Sequence, residues 1–179
     1  MSTRSTIGIE RPDGAIKCVY CHFDGYPSHH GPILLLDYPT ADKVEDLLQG
    51  GSMSILGKVP GLIQDFSHPQ EGYTLYFGRD RGDEGAEARS CRDREAMLDI
   101  AAHNGSEAAY LFSSSGQWLF QSVNWRIPRP AAFKPLKEAT IADLRDLIAR
   151  IPSFTHMSEE ERQEYARESQ AALEMVSNA

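Results

Sequence analysis

Two stretches of this sequence each read as strand, tight turn, strand, and no other feature constrains the fold as much. Ser5–Glu10 leads through Arg11-Pro12-Asp13-Gly14, where Pro presets φ and Gly accepts a positive φ, into a strand over Ala15–His22. Ala108–Phe112 and Gln117–Val123 flank Ser113-Ser114-Ser115-Gly116 in the same way and are rich in Tyr, Phe and Trp. A further aromatic segment, Tyr73–Phe77, brings the expected number of strands to about five.

Between and after the hairpins, apolar residues recur at helical spacing. Breakers crowd Gly25–Pro32, which predicts an ordered loop running into a helix at about Pro32, with Leu34, Leu35 and Tyr38 inward and Pro39 as its stop. Thr40 caps a second helix whose Val44, Leu47 and Leu48 form an i, i+3, i+4 stripe before Gly50-Gly51. Ser52–Gln70 is predicted to be mostly loop, and Gly78–Ala88 a charged loop. A third helix is expected over Cys91–His103, with Met97, Ile100 and Ala101 inward. Pro128, Pro130 and Pro135 mark a stiff connector, after which Thr140 caps a helix running through Ile141, Leu144, Leu147, Ile148 and Ile151 to Pro152. Ser158-Glu159-Glu160-Glu161 is a capping-box sequence opening the last helix. The reading is α+β: an antiparallel sheet of about five strands built from two hairpins, with about five helices packed on it. Residues 1–127 form the core, and 128–179 the Pro-rich connector and two C-terminal helices packed on the same domain.

At 179 residues, with 41% hydrophobic and 25% charged, the chain is long and apolar enough to bury a core. Its formal net charge of −8 repels phosphate backbones and anionic lipid, and no basic cluster offsets it, so direct DNA binding is not expected. The same charge suits a partner with a basic surface, such as a protein or ribonucleoprotein that itself handles nucleic acid. Three cysteines make no closed disulfide framework, and Met1–Thr6 lacks the apolar run of a secretory signal. Ile33–Leu36 is too short an apolar stretch to cross a bilayer, so a cytoplasmic protein without membrane contact is expected.

Cys18-Val19-Tyr20-Cys21-His22 matches the haem-attachment spacing C-x-x-C-H. In a strand, however, residues three apart face opposite ways, so the two thiols cannot hold one group. Zinc recruiting His29 and His30 with one cysteine and His22 lacks a second ligand pair of the usual spacing; no metal and no cofactor are expected. His22, Asp24 and Tyr26 lie at a strand end and in the turn beside it, where sites are often built. If the strand continued, His22 and Asp24 would share a face, and a small hydrolase or nucleic-acid-modifying enzyme would use them with His29 or His30. The plainer reading is an Asx-type turn at Asp24 with Tyr26-Pro27 covering the core edge, since no nucleophile is identifiable nearby.

Gly78-Arg79-Asp80-Arg81-Gly82-Asp83-Glu84-Gly85 lacks the order of a calcium loop and reads as a solvated turn or a protein-contact loop through Arg79, Asp80, Asp83 and Glu84. A nucleotide-sequestering pocket lined by Tyr26, Tyr76 and Arg79 is a further reading, although the glycine clusters match no phosphate-binding motif. Trp118, Phe120 and Trp125 are expected in the core and sheet faces, not as base-stacking residues, because no basic cluster flanks them. Glu159, Glu160, Glu161, Glu164 and Glu168 make an acidic face on the last helix, a surface able to compete with DNA for a basic groove. That helix has a thin apolar face of Tyr165, Ala172, Leu173 and Val176, so it is expected on the surface or against a partner chain, a second copy included.

The stretch Ser2-Thr3-Arg4-Ser5, Ile7-Gly8-Ile9-Glu10, Asp13-Gly14, Tyr20-Cys21-His22 and Asp24-Gly25-Tyr26-Pro27 resembles a group of small uncharacterised bacteriophage and prophage proteins. The similarity runs more loosely through Gly31, Leu35, Tyr38, Val44 and Leu47 to Gly78-Arg79-Asp80, and does not cover the tail after Pro128. The resemblance implies an accessory protein in the host cell cytoplasm that disarms a host defence, an anti-CRISPR-type inhibitor for example, by binding a host complex or mimicking DNA. Tyr26, Arg79, Asp80, Asp83, Glu84, Glu160, Glu161 and Glu164 are the candidate binding residues for that role.

Overall fold

The computed structural model describes residues 2–124, 126 and 130–179. Both predicted hairpins are present: β1 (Ser5–Glu10) pairs antiparallel with β2 (Ile16–Cys21), and β6 (Ala108–Phe112) with β7 (Trp118–Ser122). They join through β1 and β6, which run parallel, Ile7 opposite Tyr110. Four short strands complete the sheet: β3 (Met53–Ile55), β4 (Leu75–Tyr76), β5 (Arg89–Cys91) and β8 (Lys134–Pro135). The order is β4-β3-β2-β1-β6-β7-β8, with β5 also paired to β2.

The protein is thus α+β, but its sheet is mixed and eight-stranded, not an antiparallel sheet of five. Parallel neighbours need a crossover connection. Between β2 and the parallel β3 this is supplied by α1 (Pro27–Asp37) and α2 (Ala41–Gln49), which lie in sequence between them. β3, β5 and β8 escape sequence reading because two or three residues carry too little periodicity. Of the predicted Tyr73–Phe77 strand Leu75–Tyr76 forms the strand, Tyr73 makes a single bridge to Val59, and Phe77–Arg81 coils into a π-helical turn closed by Gly82 at φ +84°.

Alternation along the strands makes two apolar layers. Val19 and Cys21 face α1, α2 and α4 (Leu136–Arg150) in a cluster with Ile7, Leu34, Leu47 and Tyr110. Ile16 and Cys18 face the other way, against Met97 and Leu98 of α3 (Arg94–His103). Each such side chain removed from water stabilises the fold by about 1.5–3 kcal/mol. The last helix, α5 (Glu159–Asn178), carries the predicted capping box, with Ser158 Oγ accepting from the Glu161 N–H and Glu161 Oε2 from the Ser158 N–H at 2.7 Å. It lies outside α4 and α1, and Ser169 and Val176 are buried in that contact. Of its thin apolar face Val176 is buried within the chain, and Tyr165, Ala172 and Leu173 are half-buried.

Two helices start earlier than predicted. α1 begins at Pro27, so His29 and His30 sit in its first turn and Pro32 lies inside it, unable to donate to the Ser28 carbonyl. Its local sequence is poor for a helix; what holds it is tertiary, with His30, Gly31 and Leu34 buried. α4 begins at Leu136, which places Thr140 mid-helix, fully buried against Gly31. Thr140 is a close-packing residue and caps nothing. α3 starts at Arg94, capped by Asp93, whose carboxylate accepts the Ala96 N–H at 2.8 Å. No helix among the described residues is long and apolar enough to cross a membrane.

Candidate functional site

β2 ends at Cys21, and the backbone turns at once: Asp24 takes φ +56°, a left-handed conformation uncommon for any residue but glycine, Asn and Asp. The turn separates His22 from Asp24. His22 Nδ1 lies 2.6 Å from the hydroxyl of Tyr20, while Asp24 turns toward Tyr26 and acts on its phenol. The shared strand face that the hydrolase reading needs does not form.

Asp24 instead enters a polar knot at the start of α1. Gly25 is pressed against Thr3–Ser5, leaving no room for a side chain: a Cβ there would lie 2.8 Å from Ser5 Cβ. Its carbonyl accepts the Tyr110 hydroxyl at 2.9 Å. α1 has no cap of its own, and Asp143 of α4 serves, accepting the Ser28 N–H at 2.7 Å. His29 and His30 join through their Nδ1 atoms, 3.2 Å apart, so one ring donates and the other accepts. His30 is fully buried with Nε2 unpartnered, and burial first, then the neighbouring His29, holds its pKa well below the usual imidazole value. His29 is lowered by burial too, partly opposed by Asp24. His29 also borders a groove of about 570 Å³ shared with Ile33, Lys58 and Tyr73.

The knot opens outward onto α5. Tyr165 projects from that helix, and its phenol is raised by burial and by the carboxylates of Asp24, Glu168 and Asp143, with Arg150 opposing. Tyr26 is pushed up to about 12, by burial first, then Asp24 and Tyr165. Both phenols therefore keep their protons, through burial first and the neighbouring carboxylates second. Next to Tyr165, Glu161, Glu164 and Glu168 line a shallow hollow of about 310 Å³ with Met157. Their spacing, i, i+3 and i+7, puts them on one helical face. Three elements thus assemble one acidic basin: the β2–α1 turn, α4 and α5. The sequence marks the Glu residues and Asp24 separately; Asp143 and Tyr165 sit on helical stripes where nothing distinguishes them.

The remaining predicted site residues go elsewhere. Arg79 is committed to structure: it donates to the carbonyls of Pro60, Gly61 and Thr74 and forks onto Asp80, whose carboxylate is fully buried and also accepts the Tyr76 and Gln64 N–H groups. These two residues hold the loop that carries Leu62 and Ile63, 79% and 76% exposed. Neither is free for a partner. Tyr76 is buried with its hydroxyl on the Leu47 carbonyl and Arg79 against its ring, so the pocket imagined between Tyr26, Tyr76 and Arg79 has no walls. Asp83 pairs with Arg81, Glu164 with Arg167, and Glu84 and Glu160 are exposed. Trp118 and Phe120 are core residues, the former donating to the Tyr38 carbonyl; Trp125 and Pro128 lie outside the described residues.

Cys18 and Cys21 sit in opposite layers, as the strand geometry requires, and burial pushes each thiol up to about 12. Among the described residues no three His, Cys, Asp or Glu side chains form a metal-ligating group. No family model, curated protein or solved structure matches the chain.

Proposed function

We propose that this chain is a binding protein of phage or mobile-element type that occludes a host defence or nucleic-acid-handling complex, in the manner of an anti-CRISPR inhibitor, by presenting its acidic basin to a basic surface. The observation that carries the reading is the convergence of Asp24, Asp143 and Glu168 on the phenols of Tyr26 and Tyr165, beside the hollow lined by Glu161 and Glu164. Carboxylates spaced along one helix and backed by rigid aromatic rings suit the guanidinium and ammonium groups of a nucleic-acid-binding groove. The rings add buried contact area at low entropic cost, as interface anchors do. What favours binding over hydrolysis is the turning of His22 to Tyr20, away from the strand face it would share with Asp24, and the burial of His30.

The test is capture from host lysate, with the retained proteins identified by mass spectrometry, for wild type and for Glu164→Lys combined with Glu168→Lys. Both positions are exposed on α5, so the fold tolerates the change. A basic-surfaced host complex should be retained by wild type, lost from the double variant, and released by raised salt. Equal retention by both proteins would remove the acidic basin from the mechanism.

A further inference from the structure

On the sheet face opposite the basin, α3 packs on β2 and β6 and ends at His103, and past its end Tyr20 and His22 stand half-exposed. The Tyr20 hydroxyl, its pKa raised by burial, lies 2.6 Å from His22 Nδ1. Burial first, then the guanidinium groups of Arg4 and Arg81, lower the His22 pKa, and among the described residues its Nε2 has no hydrogen-bond partner. A strip of rings continues from it. Phe23 meets His22 edge-on at 4.5 Å and is 42% exposed. Phe77 lies 6.4 Å from His22, and Phe66 stacks 5.8 Å beyond, with Arg81 4.6 Å above both. Arg81 is paired with Asp83, whereas among the described residues Arg4 has no carboxylate partner. Beside Tyr20 a cleft of about 190 Å³ is walled by Asn104 and by Arg89, which among the described residues also has no carboxylate partner.

The geometry points to a platform for single-stranded nucleic acid, with a phosphate held by Arg4 beside His22 and a base laid on the exposed ring of Phe23. In a chain of net charge −8, this is a local grouping of cations with aromatic rings, the combination that single-strand binding uses. The cleft is smaller than the roughly 300–1,000 Å³ of pockets that enclose a small ligand, which argues against a free nucleotide. A strand gains from repeated shallow contacts, each base stacking on a ring and each phosphate meeting a cation. The inference is independent of the acidic basin.

Fluorescence anisotropy of a short labelled oligothymidylate, with the full chain at about 50 mM salt, tests it, low salt being needed because the net charge opposes binding. Wild type should bind, Phe23→Ala should weaken binding about fivefold or more, and Arg4→Gln should flatten the slope of log K against log salt by about 0.7. Both side chains are exposed, so the variants fold, and Glu164→Lys with Glu168→Lys should not weaken the affinity. The inference is overturned if wild type does not bind, if Phe23→Ala and Arg4→Gln leave the affinity unchanged, or if thymidine monophosphate or polyglutamate displaces the strand as well as unlabelled oligothymidylate does.

Discussion

Replacing Arg79 by alanine should destabilise this protein by about 3 kcal/mol, more than any exposed ion pair could account for. The guanidinium donates to Pro60 and Gly61 at 2.9 Å and to Thr74 at 3.0 Å, and forks onto Asp80 at 2.7 and 2.8 Å. Alanine leaves the Asp80 carboxylate, 0% exposed, without its counter-charge. Breaking a buried pair costs about 3–5 kcal/mol. The lower end applies, because Arg79 is itself 20% exposed and Asp80 keeps the N–H groups of Tyr76 and Gln64 at 2.8 and 3.1 Å. Urea unfolding measures the loss, and Arg79→Lys, which keeps the charge but not the fork, should lose about half as much. The acid limb gives a second readout. Burial raises the Asp80 carboxyl, but Arg79 and the two backbone donors outweigh it and lower its pKa. Its stabilisation is therefore present above the unfolded carboxyl range near about pH 4 and is lost as pH falls through the lower folded value. Without Arg79 burial dominates, and acid unfolding should begin at higher pH. A loss under about 1 kcal/mol with an unmoved acid limb would show that the pair is screened like a surface pair and does not hold the Leu62–Ile63 loop.

His30 gives a slope near neutrality: its folded pKa lies below the unfolded value of about 6.5, so stability is full above that pH and falls by up to about 1.4 kcal/mol per pH unit below it. Urea midpoints compared between about pH 7.5 and 5.5 should show the decline in wild type and a shallower one in His30→Gln; a flat wild-type profile would mean the imidazole is not buried neutral. Gly31→Ala would set a Cβ 2.0 Å from Thr140 Oγ1 and 2.7 Å from its Cγ2, forcing α1 and α4 apart. Overpacking of about 1–3 kcal/mol, less up to about 1 of helix propensity, leaves a net loss of about 1–2 kcal/mol in thermal or urea unfolding. Adding Thr140→Ala should restore part of it, since the Thr140 hydroxyl has no partner to lose while its Cβ would still lie 2.8 Å from the new one; no restoration would mean that the Thr140 hydroxyl and methyl are not what the new Cβ strikes.

Both hairpins were legible because their signals are local: alternation in Ser5–Glu10 and Ala108–Phe112, and turn residues such as Pro12, Gly14 and Gly116. The α5 capping box was legible for the same reason. The start of α1 was not, because Tyr26–Pro32 favours a loop by its own residues and becomes helical through Asp143, more than a hundred residues away. In the candidate site, Asp24 and the glutamates of α5 could be picked out singly. Nothing in their spacing said that the former would meet Tyr165 while His22 turned to Tyr20.

Sequence alone determined the α+β class, the two hairpins, the opposed faces of Cys18 and Cys21 and the acidic character of α5, since each follows from period, turn chemistry or composition within a few residues. Tertiary structure alone decided the parallel join of β1 to β6, the burial of Asp80 and the assembly of the acidic basin. Those depend on which distant segments meet, and that is settled by side-chain packing between layers and by buried polar groups finding partners across the chain, neither of which leaves a local pattern.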